Sequence, residues 1–188
     1  MSTRTYRDPI DLVWLATAER LGFAVERSAE VFASYDGRGT LTLSTPEHFD
    51  PDDSLAQMLL HELCHALVEG PGAEHRQDWG LDNIDDRHTV REHACHRLQA
   101  ALLDRHGLRR MLAPTTDHRP YYEALPADPL ADCADPALPI AREAFARATE
   151  GPWAPHLRAA LEATAAVAAA VRPFVAGPSI WAVADPTD

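Results

Sequence analysis

Positive charge, cysteine and long apolar runs are all scarce in this chain, and each scarcity removes a class of function. Seventeen basic residues face 29 acidic ones, for a formal net charge of -12, and no basic block interrupts that balance. A nucleic-acid partner is therefore not expected, because phosphate binding needs a basic face. Cysteine occurs only at positions 64, 95 and 133, with no CxxC pair and no even disulfide framework. Reduced thiols and a cytoplasmic location are the expectation. The opening residues MSTRTYRDPIDL lack the apolar core of a signal peptide. No stretch reaches the roughly 18 apolar residues of a membrane helix; the nearest, 159–171, is interrupted by Glu162. Internal repeats and low-complexity linkers are missing too.

What is present reads as an ordinary globular chain. An apolar fraction of 46% and a charged fraction of 24% over 188 residues suffice for one domain with a real core. We expect a single domain over 1–188, with a core at about 8–114 and a helical C-terminal extension at about 115–188. Asp11 to Leu21 has the spacing of an amphipathic helix stopped by Gly22. Three short runs come next, at 23–25, 31–33 and 40–43. The turn Asp36-Gly37-Arg38-Gly39 before the last predicts a small antiparallel sheet.

Ser54 with Gln57 three residues on forms a capping-box pattern, so a helix is predicted from there to about Glu69, ended by Gly70-Pro71-Gly72. A polar loop then precedes a second long helix, near Thr89 to His106, with Gly107 as its stop. Two further helices are expected near 139–149 and 155–171.

The first of the long helices reads His61-Glu62-Leu63-Cys64-His65. Residues four apart on a helix lie about 40° apart on one face. His61 and His65 thus offer two imidazoles to one point, as two ligands of a tetrahedral zinc must. Glu62 is rotated by about 100°, where its carboxylate can reach water at the ion without ligating the ion. Ala56, Leu59, Leu60, Leu63, Ala66 and Leu67 make the other side apolar.

A catalytic zinc ordinarily takes three protein ligands. Val68 and Pro71 stand where the HExxHxxGxxH pattern needs Gly and His, so the third ligand lies farther on. The second helix offers Glu92, His93 and His96, all off an expected core face of Ala94, Leu98, Ala101 and Leu102. Asp82, Asp85 and Asp86 are further candidates, as ligands or as partners that orient an imidazole. Glu92 with Thr89 also fits a second capping box. Cys64 and Cys95 read as small buried hydrophobes, and Trp14 and Trp79 as core aromatics. His118, Tyr121 and Tyr122 are candidate donors to an oxyanion.

These residues resemble the gluzincin type of HExxH zincin metallopeptidase, in which a second helix supplies a glutamate. The order of helix, small sheet, HExxH helix and glutamate-bearing helix with Ala94, Ala100, Ala101, Leu102 and Leu103 is similar to the compact ImmA/IrrE-like layout. The likeness covers roughly 8–114 and is specific at HELCH; the spacing around Glu92 departs from it by a residue or two. It implies an α+β, zincin-like fold with the sheet packed on the HExxH helix, and one Zn2+ on His61, His65 and Glu92. Glu62 would be the general base and a peptide or protein the substrate, read on a sheet edge formed by 40–43. It also admits a peptidase restricted to one protein partner. The competing expectation is a non-catalytic module in which zinc on His61, His65 and Cys95 or His96 only staples the fold.

Overall fold

The structure, a computed structural model, describes residues 6–81, 88–114 and 117–182. It is α+β, with six α-helices and one three-stranded sheet among those residues. Helix α1, Pro9–Arg20, starts where the Asp8 carboxylate accepts from the Ile10 amide at 2.9 Å. Beyond it, Gly22 takes φ +92°, a turn that side-chain-bearing residues rarely adopt. Strands β1, Ala24–Ser28, β2, Ala33–Tyr35, and β3, Thr40–Ser44, come next, as the sequence predicts.

The sheet departs from the expected antiparallel arrangement. Its order is β1-β3-β2: β3 pairs antiparallel with β2 and parallel with β1. The Asp36-Gly37-Arg38-Gly39 turn does make the β2–β3 hairpin, with Asp36 Oδ1 accepting from the Arg38 and Thr40 amides. Turn chemistry reports only strands adjacent in sequence, however. The chain leaving β1 passes over β3 before β2 begins, so β1 lands on the far side of β3. The strand at 40–43, expected at an edge, is therefore central, and β1 and β2 are the edges.

Helix α2, Leu55–Glu69, begins with Ser54 Oγ accepting from the Gln57 amide at 3.1 Å. The reciprocal half of the capping box is not formed: the Gln57 carboxamide is buried without a hydrogen bond among the described residues. Every residue of α2 except Glu69 is buried, so this helix runs through the middle of the molecule. Its last carbonyls are met by arginines from elsewhere in the chain. Arg147 Nε donates to Leu67 O at 2.7 Å, and Arg91 Nη1 to Val68 O at 3.3 Å. Cations at a helix C-terminus satisfy orphan carbonyls and oppose the dipole's negative end.

Helix α3, Thr89–Asp104, packs against both α2 and α5, Ala137–Glu150, which also touch each other, with the short α4, Arg119–Glu123, beside it. The expected core residues of α3 are buried, but so are Cys95, His96, Arg97 and Gln99. Neighbours on several sides turn a one-faced helix into an enclosed one. Helix α6, Ala154–Val171, closes over α1, where the Trp14 indole donates to Thr164 Oγ1 at 3.1 Å. Leu138, Ala141, Leu157 and Leu161 share one buried cluster with Trp14, Leu41 and Leu59, so the C-terminal helices complete the core. No helix among the described residues is long and apolar enough to cross a membrane.

Replacing Arg147 with Met keeps the aliphatic stem and removes the donors to the end of α2. A charged hydrogen bond of this kind is worth about 1.5–3 kcal/mol, and the 31% exposure of the side chain favours the lower end. Urea unfolding should show the loss as a lower midpoint with an unchanged slope.

Candidate metal centre

The two histidines of α2 do converge. His61 Nε2 and His65 Nε2 lie 3.1 Å apart, and Glu92 Oε2 of α3 is 3.9 Å from the first and 3.7 Å from the second. Two nitrogens on one tetrahedral zinc are about 3.3 Å apart, given Zn–N bonds of about 2.0–2.1 Å. The donor set fits an ion of that size.

Each imidazole is oriented through its other nitrogen. Gln99 Nε2 donates to Leu112 O at 2.7 Å, which fixes the amide so that Oε1 is the acceptor. His61 Nδ1, 3.0 Å from that Oε1, must therefore carry the proton, leaving the Nε2 lone pair for the centre. His65 Nδ1 faces Cys95 Sγ at 3.2 Å. If His65 also carries its proton there, two lone pairs meet at the centre and a cation relieves their repulsion. Burial first, then His65, holds His61 below the ordinary imidazole value, so it stays in the neutral form that ligates. Burial, the largest single influence, pushes the Glu92 carboxyl upward, but the four surrounding imidazoles of His65, His61, His118 and His93 together keep its value below normal.

Glu92 is committed to this centre rather than to the helix start. The residue before α3 is His88, which makes no side-chain cap, and Thr89 already lies within the helix. The expected Thr89–Glu92 capping box is thus not how the helix begins. His96 is fully buried, and neither of its ring nitrogens has a hydrogen-bond partner among the described residues. His61, Glu92 and His96 offer ligand atoms within 4.8 Å of one another, a cluster that could hold a metal ion. Burial pushes His96 down to about 2, so its ring is neutral. His93 goes elsewhere, stacking on the Tyr121 ring at 3.6 Å and 4°. Asp82, Asp85 and Asp86 lie outside the described residues.

Glu62 stays off the donor set. Its Oε2 accepts from the Trp79 indole Nε1 at 2.9 Å in a buried setting. Trp79 is 2% exposed, as a core aromatic should be, yet its polar edge serves the site. The turn that delivers it is strained: Asp78 and Trp79 have φ of +46° and +60°, the left-handed region that side-chain-bearing residues seldom adopt. Two contacts hold it there. Asp78 Oδ1 accepts from the Tyr35 amide on the β2 edge at 2.8 Å, and the Tyr35 ring stacks on Trp79 at 3.8 Å and 10°.

A cleft of about 320 Å³ is lined by Glu62, His65 and Glu92 from the centre and by Ala33, Ser34, Asp78, Trp79 and Leu81. Of the candidate oxyanion donors, Tyr122 donates to Arg109 O and Tyr121 to Asp135, so both hydroxyls are engaged. His118 packs edge-on to His93, with ring centroids 5.4 Å apart. Cys64 is buried, with its thiol pushed up by burial and then by Glu62. Gln99, Trp79 and the Cys95–His65 contact escaped the sequence reading, since each pairs residues 17 to 38 positions apart.

No known protein family, curated protein or solved structure matches the chain. Its function has to be read from the side chains at this centre.

Replacing Gln99 with Leu removes the acceptor that fixes His61. Loss of such an orienting partner typically weakens metal affinity by about 10–100-fold. Competition with a chromophoric zinc chelator would measure it, beside circular dichroism to confirm the helices; unchanged affinity would refute the orienting role.

Proposed function

We propose that the chain is a zinc-dependent peptidase, with one Zn2+ held by His61, His65 and Glu92 and with Glu62 as general base. The observation that carries this reading is the division of labour on α2. Two imidazoles and Glu92 turn their donors to one point beside an open cleft, while Glu62 is held there by another residue. A structural site has no use for a carboxylate so placed.

Bound zinc supplies Lewis acidity, polarising the scissile carbonyl and lowering the pKa of water. Glu62 takes the proton as water attacks and passes it to the leaving amine. With Oε2 held by the Trp79 indole, Oε1 is the atom left to receive it. The β2 edge would position the substrate. In an antiparallel pair alternate residues turn their backbone groups outward. Phe32 O and the Asp36 amide bond to β3, so Ala33 and Tyr35 face out. Asp78 takes the Tyr35 amide, which leaves Ala33 at the cleft to pair with an extended peptide.

A second reading, in which zinc only staples the fold, has one observation in its favour: the orphaned ring nitrogens of His96 within reach of His61 and Glu92. A fourth protein ligand would close the site. The two readings part at His96→Leu. A peptidase with three ligands keeps one equivalent of zinc and its activity, whereas a four-ligand staple loses both metal and thermal stability.

Incubation with a mixed peptide library, read by mass spectrometry, should show cleavage by the zinc-loaded protein and none by Glu62→Gln, with zinc content equal in both. Hydrolysis by the Gln variant would exclude Glu62 as base. Trp79→Phe keeps the ring and removes the donor; we expect kcat to fall by about 10-fold or more with KM little changed, the loss of one hydrogen bond to a charged group.

A further inference from the structure

A second and larger cavity, of about 570 Å³, lies behind the first. The two share a wall: Trp79 lines the cleft, Tyr35 lines the cavity, and their rings are stacked. On α2 the boundary falls between consecutive residues, with His65 toward the cleft and Ala66 toward the cavity.

We propose that this cavity binds a small, flat aromatic anion, and that its occupancy is felt at Glu62. Size is the first argument, since sites for small molecules run to about 300–1,000 Å³ and are mainly apolar with a few polar groups. The second is the wall. Phe23 packs edge-on to Tyr35 and Trp153 at 5.7 and 5.6 Å, so three aromatic rings face the space. Protein does not fill it: a Cβ added at Gly22, on the rim, would meet nothing within 4 Å. The third is charge. In a chain of net charge -12, the cavity is bordered by Arg38, His75 and Arg147; Arg147 is already tied to the Leu67 and Val68 carbonyls and to Glu143, so Arg38 is the guanidinium left to meet a ligand. Glu74, the bordering carboxylate among the described residues, turns back to accept from the Gly72 amide at 2.9 Å. An aromatic ring with a single negative charge suits that combination of aromatic faces and one guanidinium group.

The path to Glu62 is short and physical. Tyr35 is fixed by its hydroxyl, which donates to Glu74 O at 2.7 Å, and supports Trp79 from behind. A molecule that bears on Tyr35 bears on the ring whose N–H holds the Glu62 carboxylate. This coupling rests on the role proposed for Glu62; the binding does not.

The probe is 8-anilinonaphthalene-1-sulfonate, added to the full chain. We expect a saturable rise in emission at one equivalent, lost in Ala66→Phe, which fills the cavity from below. Leu21→Trp, which fills it from the half-buried rim, should abolish binding too and serves should the first variant not fold. Emission that survives both plugs in folded protein, or no saturable signal, overturns the site. The uncharged analogue N-phenyl-1-naphthylamine should bind about 10-fold more weakly, a difference of about 1.4 kcal/mol; equal affinity overturns the assignment of charge. Indole N–H resonances, with Trp79 assigned through Trp79→Phe, report the coupling. Trp153 and Trp79 should shift with the dye, and Trp14, tied to Thr164, should not. A shift at Trp153 without one at Trp79 overturns the coupling. If the dye binds and both shift while the zinc-loaded protein cleaves no peptide, the cavity stands and the peptidase reading falls.

Discussion

Two imidazoles on one buried helix are made to face each other, and most of the molecule is arranged around that constraint. Their outer nitrogens are taken, His61 by Gln99 and His65 by Cys95, so the inner pair meets at 3.1 Å. In a dry interior this encounter is unfavourable unless a proton or a cation lies between. Glu92 supplies the compensating negative charge that makes a divalent cation welcome. The strain accepted in the Asp78–Trp79 turn belongs to the same design, for it brings a donor to the neighbouring carboxylate without adding a ligand.

The placement of α2 explains why its polar residues mean something. A helix buried on nearly all sides is ordinarily apolar on all sides. Here His61, Glu62 and His65 are buried with it, each with a named partner. Gln57 and His96 are the exceptions, polar and enclosed without a hydrogen bond among the described residues. Such groups cost about 1–3 kcal/mol each when unpaired. That His96 shares α3 with Glu92 and offers a ring nitrogen within 4.8 Å of the ligand atoms of His61 and Glu92 gives its burial a meaning that Gln57 lacks.

How much of this was legible beforehand depends on range. The helix boundaries, the Ser54 cap, the Gly22 and Gly107 stops and the facing of His61 and His65 are local, set by residues within a turn of one another, and the sequence carries them. Glu92 could be named as a candidate because helical spacing and a family likeness both pointed to its helix. Its distance to the histidines could not, nor could the choice among its neighbours: His93 is turned aside by Tyr121, which arrives from α4. Gln99 carries no signal in the sequence, and Trp79 reads as core. Their roles exist only once α3 and the Asp78 turn are docked. The sheet misled for the same reason, since a turn announces a hairpin but not which edge a third strand will choose.

Arg147 adds a dimension of time to this architecture. The end of the helix bearing His61 and His65 is tied by a guanidinium that lies 80 residues farther along the chain, on a helix that also packs against Glu92's own. During synthesis the donor residues leave the ribosome well before their support does. Until α5 emerges, the segment that carries His61 and His65 lacks the Arg147 tether and one wall of its enclosure, and Arg91 alone meets its end. Assembly of the centre is thereby deferred to a late stage of translation.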